Sequence, residues 1–531
     1  MIKQSIYILS ALLIFATGIP RAQEKTTVMT KTETGDTRLL ETITKAELRD
    51  HVFYLASDFT GGRLPGSDGY KQASCYVASQ LIETGLTPIL NGPDGKKCYF
   101  QNVDFTISSI APQSVLHVKI GEKEIEWKLG EQFLPLLHNQ EFDKGTYEGT
   151  AEFVGYGIEE TAYGWNDYKN RNVSGKMVIL YIGAPMKKDK PILPEEKNES
   201  YLSMQQGLMN RMLAAFGHKA TGVIIIPDPQ TTEMWSMLSP HLNRPCRRLK
   251  AFRAQDPVVP IPVFLVHPEA AAELFEGTGF DPISGKGNVE SIHLTDVRLV
   301  FDLKYETQED FTCRNVVGFL PGSDPVLDDE YIVVCAHLDH LGTKENEVFN
   351  GADDNASGCA AVLEAAEAVA MSPPKRSIFF VFFTGEEGAG QGSYYFINNF
   401  FDPLEKIKLA INVDMVGRNS PEHPNAVLGV TPDNIELGLA EFMEEANRSL
   451  ANVNLKTRAS GENFGDYYGS GDEAMFMLRG IPAVLVTTGF GWPEYHQPGD
   501  DPDKIDYDRV TDASRLVFSL ITAAANNEIP H

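Results

Sequence analysis

The chain is poor in cysteine. Six in 531 residues (Cys75, Cys98, Cys246, Cys313, Cys335 and Cys359) are too few for a disulfide framework. Cys335 and Cys359 lie inside apolar runs and are expected as buried thiols. Positive charge is also scarce: 46 Lys and Arg stand against 73 Asp and Glu, for a formal charge of -27. That balance argues against nucleic acid or an anionic membrane as partner. Low-complexity tracts are absent, and no apolar run is long enough to span a bilayer comfortably. The N-terminal run has another meaning. Lys3, the apolar stretch Ile6 to Ile19 and Pro20-Arg21-Ala22-Gln23 have the layout of a secretory signal peptide. Cleavage after Ala22 would remove Lys3 and Arg21 and take the formal charge from -27 to -29. No cysteine follows the apolar core, which argues against lipid attachment there. The expectation is an exported protein, periplasmic or extracellular, with no integral membrane span after signal removal; the alternative is an N-terminal anchor.

What is present is an ordinary globular composition, 42% hydrophobic, in a chain long enough for more than one domain. Residues 23–43, rich in Thr, Lys and Glu, read as a mobile leader. Residues 44–114 open one domain, with helical periodicity over Lys45–Ser57 and Tyr70–Leu86 around a glycine-rich loop. Over 115–300 short strand-like runs alternate with turns, as in a separate β-rich insert without a cluster of ligand-type residues. From 301 to 531 strands and helices alternate: Tyr331–Cys335, Ala356–Met371, Ser377–Phe383, Ile407–Val413, Asn434–Ser449, Ala483–Val486 and Asp508–Asn526. That order predicts an α/β fold with a mixed, largely parallel central sheet and helices on both faces.

Chemistry concentrates at the predicted strand ends, where open α/β sheets bind ligands. Glu386 and Glu387 close the apolar run Ser377-Ile-Phe-Phe-Val-Phe-Phe-Thr-Gly385. His337 and Asp339 lie in Cys335-Ala-His-Leu-Asp339, and Asp353 and Asp354 in Gly351-Ala-Asp-Asp-Asn355. Asp414 follows Asn412-Val413, and His496 opens His496-Gln-Pro-Gly-Asp-Asp501 after the last strand. Singly, each has an ordinary structural explanation: an Asp before a helix is a cap, and a Glu pair favours a helix N-terminus. Together, at successive strand ends of one sheet, they are metal-ligand types. Imidazole and carboxylate without cysteine suit zinc, and two adjacent glutamates divide naturally into a ligand and a general base.

These blocks, in this order, resemble the co-catalytic zinc exopeptidases that include bacterial leucyl aminopeptidases and glutamate carboxypeptidase II. The resemblance covers about residues 45 to 527. Phe153-Val-Gly-Tyr-Gly-Ile158, Trp165-Asn-Asp-Tyr168 and Gly222-Val-Ile-Ile225 resemble the protease-associated domain inserted in some members, which covers part of the cleft and limits substrate size. The resemblance implies two Zn2+ per chain. Asp354 would bridge them, Glu387 and His496 would complete one site, and His337 and Asp414 the other. Glu386 would be the general base, taking the proton whose loss turns a zinc-bridging water into hydroxide and passing it to the leaving amine. Asp339 would hold the His337 ring, Tyr495 would polarise the scissile carbonyl, and the Asp354–Asn355 peptide would be cis. One departure stands out: Gly471-Asp472-Glu473 replaces a Ser-Asp-His found in many members, which puts substrate contacts near Tyr467 and Tyr468 in question.

The expected activity is hydrolysis of N-terminal residues from peptides. Three alternatives stand beside it. A carboxypeptidase of the same family would need a cation for the substrate carboxylate, with Arg418 as candidate. A glutaminyl cyclase would share the fold, but the insert counts against it. An inactive binding protein would have lost ligands, and none is lost.

Overall fold

The apolar runs at the heart of the chain pair with one another. In the computed structural model, β1 (Tyr331–His337) lies between β2 (Ser377–Phe383) and β3 (Ile407–Val413), and β3 pairs onward with β4 (Ala483–Thr487). All three pairings are parallel. The structure describes residues 37–530 other than 93, 138–145, 188–189, 203, 243–244, 251–262, 288, 290–291, 293, 295, 389, 401, 421–422, 432–437, 458, 460–470 and 490–491. The expected signal peptide, most of the leader, and Tyr467 and Tyr468 lie outside the described residues.

Every residue of β1 and β2 is buried, which is why both read as continuous apolar runs rather than alternating ones. Each buried phenylalanine of β2 contributes on the order of 2–3 kcal/mol. Phe379 and Phe383, on one face of β2, meet Phe396 of the helix Gln391–Asn398, and Phe383 also meets Phe476 of Glu473–Met477. Helices α1 (Gly358–Ala370) and α2 (Tyr507–Asn526) pack on each other and on β1 and β3. Antiparallel neighbours flank the parallel centre: the strand Tyr305–Leu320 pairs with β2, and Val427–Val430 with β4. The sheet is thus mixed and parallel at its centre. Because β1 to β4 run the same way, their carboxyl ends meet along one edge.

Among the described residues two compact units separate: 106–310, and 37–105 together with 311–530. These limits fall inside the strands Phe100–Ile110 and Tyr305–Leu320, where no change of composition marks them. The first unit holds an eight-stranded sheet whose centre, Thr146–Phe153, Met177–Tyr181, Gly222–Ile226 and Val263–Val266, is parallel. Trp127, Phe133, Phe153, Phe264 and Phe301 lie in its core. No helix among the described residues is long and apolar enough to cross a membrane. All six cysteines are free, and Cys313, Cys335 and Cys359 are buried.

Candidate metal centre

The edge formed by the ends of β1 to β4 is where the acids and imidazoles meet. His337 closes β1 and is buried. Its Nε2 lies 3.2 Å from Asp354 Oδ1 and 3.3 Å from Asp414 Oδ1. On the other side of Asp354, His496 Nε2 lies 3.0 Å from Asp354 Oδ2 and 3.1 Å from Glu387 Oε2. Asp354 therefore turns one oxygen to each imidazole. Two donors on one tetrahedral zinc, with bonds of about 2.0–2.1 Å, stand about 3.3–3.4 Å apart. All four spacings are close to that edge length, so the donor set fits a pair of ions sharing Asp354.

The backbone around Asp354 explains its reach. Ala352–Ser357 forms a π-helical turn before α1, and the Asp354–Asn355 peptide is cis. Asp500 Oδ2 accepts the N–H groups of Asp353 and Asp354 at 2.9 and 3.1 Å, which ties this turn to the loop carrying His496. Asn355 binds the loop carrying Asp414: its Oδ1 accepts from Met415 N at 3.2 Å and its Nδ2 donates to Val413 O at 2.9 Å. Beneath the loop after β1 and the approach to this turn lies Arg63, fully buried and, among the described residues, without a carboxylate in ion-pair contact. Its guanidinium donates to the carbonyls of Leu55, Leu338, Asn350 and Gly351 at 2.6–2.8 Å.

Charge is strongly organised here. Burial pushes Asp354 up, but hydrogen bonds from His337 and His496 overcome it and hold its carboxyl well below the usual range. Glu387 is likewise pushed up by burial and pulled down further by the His496 and His340 charges, to about 2. Burial lowers His496, yet Glu387 and Asp354 outweigh it and raise its pKa to about 10. His337 is also driven well above its ordinary value, by Asp414 and Glu386 against burial. Each imidazolium proton sits between two carboxylates, so the pocket is built to hold cations. Glu386 behaves differently. Buried, with Oε2 3.9 Å from His337 Nε2, it is pushed well above the carboxylate range by burial and by Asp414 and Asp472, despite His337.

The remaining expected residues are placed as follows. His337 Nδ1 meets the carbonyl of Asp339 at 3.1 Å. The Asp339 carboxylate stands 4.0 Å from that nitrogen, because its Oδ1 accepts Glu386 N–H at 3.1 Å instead. Asp339 thus orients the ring through its backbone and the general-base candidate through its side chain. Tyr495 stacks on His496, ring centroids 3.9 Å apart, and burial with the nearby acids pushes its hydroxyl well above the usual value. Glu473 is fully buried, its Oε2 accepting from Asn412 Nδ2 at 2.7 Å. It is turned into the protein, while Tyr467 and Tyr468, the residues whose substrate contacts it put in question, lie outside the described residues. Arg418 faces Asp500 Oδ1 at 3.6 Å and Glu494 Oε2 at 4.0 Å.

One participant has no counterpart in the sequence reading. His340 is fully buried, with Nδ1 2.6 Å from Glu387 Oε1. The available signal was a second imidazole three residues after His337; its partner lies 47 positions along the chain, a separation no local pattern reports.

Residues 315–521 match the sequence model of Peptidase family M28. A probable leucine aminopeptidase of Arthroderma otae is 26% identical over 236 residues, 42% of this chain and 59% of that protein. Leucine aminopeptidase 1 of Trichophyton rubrum is 24% identical over 233 residues, 41% of this chain and 60% of that protein. The chain thus spans about three fifths of the length of the curated relatives it matches. Among solved structures, an aminopeptidase from Aneurinibacillus sp. strain AM-1 shares 16% identity at a TM-score of 0.48, with 94% of this chain and 98% of that chain covered. A zinc aminopeptidase from Bacillus subtilis shares 18% at 0.46, with 92% and 96% covered. With its strand-end histidines and acids inside the matched stretch, the segment 315–521 is a domain of peptidase family M28.

Proposed function

We propose that this protein is a zinc-dependent aminopeptidase that releases N-terminal residues from peptides. The observation carrying the reading is Asp354, whose two oxygens face His337 and His496 separately. Two zinc ions are the expected cofactors: one held by His337, Asp414 and Asp354, the other by His496, Glu387 and Asp354. Bound there, zinc supplies Lewis acidity that polarises the peptide carbonyl and makes water a nucleophile near neutral pH. The chain's own residues do the rest. Glu386 accepts the proton of the attacking water and delivers it to the departing amine, with Asp339 fixing its backbone. Tyr495, held flat against His496, offers its hydroxyl to the carbonyl oxygen.

An amine-first substrate fits the charge of the site. Asp414 is a buried acid able to pair with an α-ammonium. A carboxypeptidase would need a free cation; Arg63 is committed to carbonyls, and Arg418 faces the carboxylates of Asp500 and Glu494 at 3.6 and 4.0 Å. The names of the fungal relatives point the same way. We read 115–300 as a protease-associated domain, and the Lys3–Ala22 pattern as supporting export.

The test is direct. Zinc-loaded protein is expected to cleave aminoacyl anilides and free-amine peptides, and to lose that activity to a chelator. Better cleavage of N-acetylated peptides than of free ones would overturn the aminopeptidase reading.

A further inference from the structure

We infer that His340 is a positioning residue for the Glu387–His496 half of the site: it fixes Glu387 through one carboxylate oxygen so that the other is left for a metal ion. The inference rests on the two-ion reading above and adds a residue to it.

His340 Nδ1 lies 2.6 Å from Glu387 Oε1. That is a charge-assisted hydrogen-bond distance, well inside the about 3.3–3.4 Å expected of two donors sharing one tetrahedral zinc. The geometry also compares the two imidazoles as ligands. His340, Asp354 and Glu387 are close enough together to form a metal-holding group. Yet His340 Nδ1 stands 3.9 Å from Asp354 Oδ2, whereas His496 Nε2 is 3.0 Å from that oxygen and 3.1 Å from Glu387 Oε2. His496 matches the zinc edge on both sides and His340 on neither. The two oxygens of Glu387 are therefore divided, Oε1 to His340 and Oε2 to the corner where His496 and Asp354 meet.

The ring is itself held. Gly351 lies against it with a left-handed φ of 58°, and a Cβ at that position would fall 2.6 and 2.7 Å from His340 Cδ2 and Cγ. The backbone N–H of His340 donates to Arg63 O at 3.2 Å, and the ring meets His496 edge-on at 5.7 Å. Since the nitrogen facing the carboxylate is Nδ1, that atom carries the proton of the hydrogen bond. Among the described residues Nε2 is buried with no hydrogen-bond partner, so Glu387 is the group this imidazole orients there.

The experiment measures zinc content of the whole protein, then zinc transfer to a competing chelator, for wild type, H340A, H340N and H340L. The amide nitrogen of Asn can take the place of Nδ1 and donate; Leu keeps bulk over Gly351 without a donor and serves if Ala fails to fold. The wild type is expected to hold two ions. H340A and H340L should hold one as tightly as wild type and the other about 10–100-fold more weakly, with H340N restoring most of the difference. Melting of the metal-free forms separates this effect from unfolding. Unchanged zinc transfer in both H340A and H340L, or an H340N as weak as they are, would overturn the inference while the two-ion reading stood. So would loss of one ion in H340A with both retained in H496A, which would make His340 the ligand. A wild type holding fewer than two ions would overturn the underlying reading and this inference with it.

Discussion

Asp354 and Glu386 are both buried acids at one sheet edge, yet their surroundings push them in opposite directions. Hydrogen bonds from two imidazoles hold Asp354 ionised, whereas burial beside Asp414 and Asp472 favours a proton on Glu386. Such a divergence separates a ligand from a proton carrier. It predicts that E386Q keeps its zinc while kcat falls by about 10²–10⁴-fold; metal analysis beside steady-state kinetics checks it, and unchanged turnover would remove Glu386 from the proton path. Glu386, Glu387, Asp414 and His337 could be picked out in the sequence because each closes or follows an apolar run, and Asp354 because it opens the alanine-rich helix. His496 stands further from β4 and is legible only as an imidazole somewhere after the last strand. His340, the inward turn of Glu473 and the division of labour within Asp339 could not be read. Each depends on which partner a side chain meets, and those partners come from other elements: Glu387 for His340, Asn412 for Glu473, the Glu386 amide for Asp339.

At the level of elements, His337 closes β1, the loop after it carries His340, and the turn before α1 carries Asp354; that loop and the approach to that turn both rest on Arg63. A buried guanidinium facing only carbonyls is costly to place and costly to remove. R63Q would leave at least two of those carbonyls without a donor, at about 1–3 kcal/mol each. We expect a destabilisation of about 3 kcal/mol or more, with R63K recovering part of it, read as a shift of the urea midpoint. A midpoint within error of wild type for R63Q would show that the loops hold themselves. The same loops mark where sequence periodicity stops being informative. The helix read as starting at Ala356 begins at Gly358, because Ala352–Ser357 is a π-helical turn with a cis peptide. The helix read from Asn434 is described from Leu439, and residues 432–437 are outside the described residues. By contrast β2, β3 and β4 fall where their apolar runs lie, since full burial on both faces leaves a strong compositional trace.

For the molecule as a whole, the site couples metal, protons and stability. Metal-free, His496 has its pKa raised from 6.5 to about 10. A raised imidazole stabilises the folded chain fully below its unfolded value, and that contribution is lost as pH climbs from about 6.5 towards 10. The melting temperature of chelator-treated protein should therefore fall across that range. Zinc-loaded protein, with the imidazole nitrogen bound to metal instead of a proton, should fall less. A chelated protein whose melting temperature held level or rose over that interval would contradict the electrostatic account of the pocket.

The central claim is that one carboxylate, Asp354, joins two metal positions. Crystals of zinc-loaded protein, with anomalous data collected on both sides of the zinc absorption edge, test it most directly. Two peaks about 3.5–4 Å apart are expected, one against His337 and Asp414, the other against His496 and Glu387, with Asp354 between them. A single peak, or two peaks that do not share Asp354, would contradict it.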